Sequence, residues 1–101
     1  MMNITTTING AEALIVVSGK LTVATSPDLE SEVVNLPESV TSLDIDLTDL
    51  DYISSAGLRV LVSTQKLFEK RNGTMRILHP TNEVYDIFDM TGLSEIFTIE
   101  R

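Results

Sequence analysis

Two adjacent serines, Ser54 and Ser55, stand directly before the longest amphipathic stretch of the chain. A serine at the start of a helix lies where unpaired backbone N–H groups and the positive end of the helix dipole converge. That position favours an anion, including a phosphate esterified to the serine itself. Most serines at helix starts only cap the first turn. The pattern therefore leaves two interpretations of Ser55, a phosphate acceptor and a plain cap.

Other side chains that could do chemistry are few. The single histidine, His79, ends a predicted strand, and the context Ser55-Ala56-Gly57 differs from the Gly-x-Ser-x-Gly motif of hydrolases. The five glycines form no phosphate-binding loop for a nucleotide. The four aspartates of residues 44–51 could hold Mg²⁺ loosely, but their alternation is typical of a solvated strand face. We therefore predict no catalytic residue, no cofactor and no metal site.

The composition restricts the partners. The net charge is −8, from 15 acidic and 7 basic residues, so a direct contact with nucleic acid is disfavoured. No apolar run approaches the ~20 residues of a membrane span, and no basic segment with an apolar stretch opens the chain. The chain has no cysteine, which fits a reducing compartment. We expect a cytoplasmic protein that does not bind membranes.

Strands and helices alternate along one small domain, residues 1–101. Residues 4–8 and 13–17 flank Asn9-Gly10 and predict a hairpin, whose second strand we expect to be buried on both faces. A helix follows, with Ser26 as its cap and Pro27 in its first position, and it stops at Pro37. Residues 43–47 alternate strictly and predict a strand with carboxylates on one face.

The second half continues the alternation. The longest helix is predicted over residues 56–71 and ends at Asn72-Gly73. A strand over residues 75–78, a helix opening at Pro80-Thr81 and a strand over residues 96–99 complete the chain. The order β-β-α-β-α-β-α-β predicts an α/β fold with a mixed sheet. The exposed acids of the third strand indicate helices packed mainly on one face.

Residues 47–58, Leu-Thr-Asp-Leu-Asp-Tyr-Ile-Ser-Ser-Ala-Gly-Leu, resemble the signature loop of bacterial anti-sigma factor antagonists, whose fold is the STAS domain. The resemblance extends over nearly the whole chain. It includes Gly-Lys-Leu at 19–21 with Thr-Ser-Pro at 25–27, Asn-Gly-Thr-Met at 72–75, and Phe-Asp-Met-Thr-Gly-Leu at 88–93. Several matches in the same order are more specific than the loop alone.

The resemblance implies a mechanism. The family's loop usually runs Asp-Ser-Ser/Thr-Gly-Leu, and its first serine, two before the glycine, is phosphorylated. Counting back from Gly57 gives Ser55 as the acceptor, with Ser54 as the alternative. Here Ser54 replaces the usual Asp, Ala56 follows the acceptor, and Thr22 stands where the family often has Asp. The implied contact surface comprises Thr22, Ser54, Ser55, Ala56, Gly57 and Arg59.

The implied partner is an anti-sigma factor that is also a serine kinase. The unphosphorylated antagonist, a monomer when free, captures this partner and releases the sigma factor. Phosphorylation ends the capture and a serine phosphatase restores it. The antagonist itself is not an enzyme. The alternatives are an accessory or scaffold subunit of a lipid-transport ATPase complex or a stress-signalling assembly, and, third, a small enzyme or nucleotide-binding protein.

Overall fold

The sheet in the computed structural model, which describes residues 2–101, is organised around its long second strand. The strands are β1 (Met2–Asn9), β2 (Glu12–Leu21), β3 (Ser42–Asp46), β4 (Leu50–Ile53), β5 (Thr74–Leu78) and β6 (Thr98–Glu100). The helices are α1 (Ser26–Val34), α2 (Ser55–Lys70) and α3 (Asn82–Met90), with a 3₁₀ turn at Leu93–Glu95.

The strand order is β1-β2-β3-β5-β6, and β4 also pairs with β2. The pair β1–β2 is the predicted antiparallel hairpin, whereas all the other pairs are parallel. Parallel neighbours need crossover connections, and helices supply them here. The predicted α/β fold with a mixed sheet is confirmed.

One face of the sheet carries the core. In β2 the side chains of Ala13, Ile15 and Val17 are buried, whereas Leu14 and Val16 between them are only half-buried. The expectation that this strand is buried on both faces is therefore wrong. The physical reason is that the helices pack mainly on one side, as predicted, and leave the even-numbered residues of β2 on the open face.

The carboxylates of β3 lie on this open face and have structural partners. The Arg76 guanidinium of β5 donates to both carboxylate oxygens of Asp44, at 2.9 and 2.8 Å, and also pairs with Glu100 of β6. The hydrogen bonds and charge of Asp44, together with the charge of Glu100, raise the pKa of Arg76 above its ordinary value. The Asp46 carboxylate accepts from the N–H and hydroxyl of Thr48 in the next turn.

Several predicted boundaries need correction. The sequence pattern missed β4, because a turn at residues 47–49 separates it from β3 and leaves a strand of only four residues. The first helix ends at Val34 rather than at Pro37, although Leu36, between these two residues, is buried. The last strand is shorter than residues 96–99, since the 3₁₀ turn precedes it. The longest helix is confirmed to within one residue at each end.

Candidate functional site

The paired ends of β2 and β4 bring the two predicted contact segments together. Leu21 lies opposite Ile53 in this parallel pair, and the N–H of Ser54 donates to the carbonyl of Leu21 at 2.8 Å. The chain then leaves β2 through Thr22 and leaves β4 through Ser54 and Ser55. The carboxyl edge of parallel strands is a common place for functional loops.

Ser54, rather than Ser55, caps helix α2. Its backbone is extended (φ −89°, ψ 171°), and its hydroxyl accepts a hydrogen bond from the N–H of Gly57 at 3.2 Å. Its carbonyl accepts from the N–H of Leu58 at 3.0 Å. The side chain is buried. The interpretation of Ser55 as the cap is therefore wrong by one residue. The backbone hydrogen bond between Ser54 and Leu21 fixes where the strand ends and the helix begins.

Ser55 is the first residue of helix α2 and its side chain is exposed. Among residues 2–101, no protein acceptor bonds to the backbone N–H groups of Ser55 and Ala56. The first turn of the helix contains no acidic residue. A phosphoryl group on Ser55 would thus meet two unpaired N–H groups and the positive end of the helix dipole.

Gly57 allows the first turn of α2 to approach the strand ends. A Cβ atom at this position would lie 2.8 Å from Cγ1 of Ile53 and 2.9 Å from Cδ2 of Leu21, closer than side chains tolerate. Gly57 itself is buried. The structure thus gives it a packing role beneath the exposed Ser55, and its predicted contact with a partner stays a prediction.

Thr22 belongs to a hydrogen-bonded turn that leads into α1. Its N–H donates to the hydroxyl of Thr25 at 2.7 Å, and its own hydroxyl accepts from the N–H of Thr25 at 3.2 Å. Its carbonyl accepts from both the N–H and the hydroxyl of Ser26. Ser26 is consequently the first helical residue and Thr25 the N-cap residue, which corrects the predicted Ser26 cap. Thr22 uses its polar groups to shape this turn.

Arg59 and Ala56 line a hollow between α1 and α2 of about 290 Å³, next to Ser55. The other lining residues are Val23, Ser26, Pro27, Glu30, Val60 and Ser63. Sequence analysis did not single out Val23, Glu30 or Ser63 for function. The position of Val23, an apolar residue in a turn, could have drawn attention to this hollow, and the side chain is 71% exposed.

His79 and the acidic residues are the other side chains that the sequence offered for chemistry. His79 has an exposed ring whose Nδ1 lies 3.2 Å from the carbonyl oxygen of Arg101, beyond the end of β6. Within residues 2–101, histidine, cysteine, aspartate and glutamate form no group of three or more placed to hold a metal ion. In the same part of the chain, no helix has both the length and the apolar character needed to cross a bilayer.

Comparisons with known proteins identify similar sequences and similar structures. The family model of the STAS domain matches residues 3–101. The anti-sigma-B factor antagonist of Bacillus subtilis is 31% identical over 98 residues, which cover 97% of this chain and 90% of the relative. An anti-sigma factor antagonist from Mycobacterium paratuberculosis has a similar crystal structure, with a TM-score of 0.85, 23% identity and coverage of 98% and 85%.

The Bacillus cell fate determinant SpoIIAA, solved in its phosphorylated form, has a TM-score of 0.78 at 15% identity. The match covers 98% of this chain and 92% of SpoIIAA. At that identity the likeness shows a shared fold.

Proposed function

Because this chain belongs to the STAS domain family, and is 31% identical to an anti-sigma-B factor antagonist over most of both chains, we propose that it is an anti-sigma factor antagonist. It is a binding module rather than an enzyme, a monomer when free, and it acts in the cytoplasm by capturing an anti-sigma factor. Capture releases the sigma factor and thereby regulates transcription.

The exposure of Ser55 carries the regulatory part of the proposal. Ser54 is buried and its hydroxyl is engaged by Gly57, whereas Ser55 projects from the surface at the first position of α2. A kinase must reach the hydroxyl that it modifies, so this difference favours Ser55 as the acceptor. SpoIIAA, which shares the fold, has a phosphorylated form, so the fold accommodates such a group.

The captured anti-sigma factor is itself the serine kinase in this proposal, and a phosphatase reverses the modification. A phosphate adds about −1.5 to −2 charges near pH 7. At a helix start it gains roughly 0.3–1 kcal/mol from the dipole, so the domain has no reason to unfold. The energetic cost falls on the partner surface, where the new anion must be desolvated. A loss of ~3 kcal/mol weakens binding more than a hundredfold.

The test uses the purified anti-sigma factor encoded in the same genome. After incubation with ATP and Mg²⁺, mass spectrometry of peptides should locate phosphate on Ser55. Ser55→Ala should bind the anti-sigma factor but accept no phosphate. Ser55→Asp should unfold at a temperature close to that of the wild type and bind at least tenfold more weakly.

Ser39→Asp provides the matched control. Ser39 is also exposed, but it lies beyond α1, in the segment whose carbonyls at Pro37 and Val40 contact Arg71 at the far end of α2. The same added charge there should leave binding unchanged. Phosphate found only on Ser54 would contradict the choice of acceptor. Normal binding by Ser55→Asp would contradict the proposal that phosphorylation of Ser55 ends the capture. A wild-type protein that does not bind the anti-sigma factor would refute the antagonist function.

A further inference from the structure

A groove continues from the hollow beside Ser55 along the length of α1 and α2. A second depression between these helices shares three residues with the hollow, Glu30, Val60 and Ser63, and adds Val33, Val34, Thr64 and Leu67. We call the two together the α1–α2 groove. Along α2 it runs from Ala56 to Leu67, which at 1.5 Å per residue is a length of ~16 Å, or about three helical turns.

The groove offers an apolar floor. Three hydroxyl groups line it, but each already donates to a backbone carbonyl of the chain: Ser26 to Thr22 at 2.5 Å, Ser63 to Arg59 at 3.0 Å and Thr64 to Val60 at 2.7 Å. The rest of the floor consists of valine, proline, alanine and leucine side chains. With its hydroxyl donors engaged, the floor suits apolar side chains better than a sugar or a nucleotide.

Two charges of opposite sign lie on opposite walls of the groove. Glu30 stands on α1 and Arg59 on α2, and both side chains are exposed. In residues 2–101 the ion pairs all involve Arg76, so Glu30 and Arg59 are without a charged partner. An occupant would complement both walls by bringing a basic residue to the α1 side and an acidic residue to the α2 side.

We propose that an amphipathic helix of the captured anti-sigma factor lies in the α1–α2 groove. This inference rests on the proposed function and extends it. Ala56 directly follows Ser55, Arg59 lies one helical turn further along α2, and both line the end of the groove, so a partner that responds to phosphate on Ser55 is already near its entrance. A groove between two helices receives the ridge of a third helix, with apolar residues at i, i+3, i+4 and i+7.

Val34 and Met90 provide a matched pair for the test. Each is the last residue of a nine-residue helix, and they are 67% and 80% exposed, but only Val34 lines the groove. Lysine is favourable at the carboxyl end of either helix, so neither substitution should lower the thermal unfolding temperature. Calorimetric titration with the purified anti-sigma factor of the same genome should show Val34→Lys at least tenfold weaker and Met90→Lys within about twofold of wild type.

Ser63→Met is a second, uncharged groove variant. It fills the middle of the groove with a good helix-forming residue on an exposed position of α2, and it should also weaken binding at least tenfold. Wild-type affinity in both groove variants, with Ser55→Asp still impaired, would overturn the groove proposal and leave the proposed function standing. Equal losses in Val34→Lys and Met90→Lys would also overturn it. A wild-type protein that does not bind would refute the proposed function itself.

Discussion

Replacing Ser54 and Ser55 one at a time by alanine should separate the cap of α2 from its proposed phosphate acceptor. In Ser54→Ala the buried N–H of Gly57 loses the hydroxyl that accepts from it at 3.2 Å. Loss of an N-cap costs about 1 kcal/mol, and leaving a buried donor unpaired costs roughly 1–3 kcal/mol, so we expect a destabilisation of ~1–2 kcal/mol.

In Ser55→Ala nothing comparable is lost. The side chain is exposed, its hydroxyl makes no hydrogen bond within residues 2–101, and alanine is the best helix former. The free energy of unfolding should therefore change by less than ~0.5 kcal/mol. Urea unfolding followed by circular dichroism measures both variants, and each 1 kcal/mol corresponds to about 4–8 °C in the unfolding temperature of a domain of this size.

Ser54→Asp is the control for the cap, because aspartate accepts from the same N–H groups as serine. It should recover most of the stability that Ser54→Ala loses. A larger destabilisation by Ser55→Ala than by Ser54→Ala would contradict Ser54 as the cap, since the helix would then begin one residue later than the structure shows.

Three further substitutions test the packing of the fold, the first of them beneath the site. Gly57→Ala should destabilise the protein by roughly 1–3 kcal/mol in urea unfolding, because its Cβ would collide with the strand ends, and a neutral result would refute that crowding. Gly73→Ala should cost at least as much, since its Cβ would meet the backbone of Thr41, which cannot rotate away as a side chain can; a smaller loss would contradict this. Phe97→Leu should destabilise the protein by about 0.5–1.5 kcal/mol, because it removes the edge-to-face contact with Phe88, whose ring centroid lies 5.4 Å from that of Phe97. A double-mutant cycle that shows no coupling between the two positions would contradict this.

The amino-acid sequence was sufficient to predict the strands and helices whose apolar residues recur at a regular spacing. Residues 43–47 alternate strictly, and Leu43, Ile45 and Leu47 are buried as that alternation requires. The helical spacing of apolar residues located α2 to within one residue at each end, and Asn72 adopts a positive φ of 55° after it, as a helix terminator does. In these elements the local pattern and the tertiary packing agree.

The cap and the fourth strand depended on tertiary contacts that no local pattern encodes. Ser54 and Ser55 are equally good caps by type, and the hydrogen bond from the N–H of Ser54 to Leu21, 33 residues earlier, selects the first of them. Strand β4 forms because β2 is long enough to pair with β3 and then with a second strand. The α1–α2 groove likewise exists only after the two helices pack.

The two adjacent serines differ in their surroundings: Ser54 is buried and caps α2, whereas Ser55 is exposed. A cap must place its side-chain oxygen within hydrogen-bond reach of an N–H of the first turn, and a phosphate acceptor must be exposed enough for a kinase to reach it. Ser54 meets the first requirement and Ser55 the second. The capping role also explains how Ser54 can stand where the loops that this sequence resembles usually have aspartate, because serine and aspartate are equivalent as N-caps. Serine retains the hydrogen bond to Gly57 and removes one negative charge beside the acceptor, so a phosphate on Ser55 would meet less repulsion from its own loop.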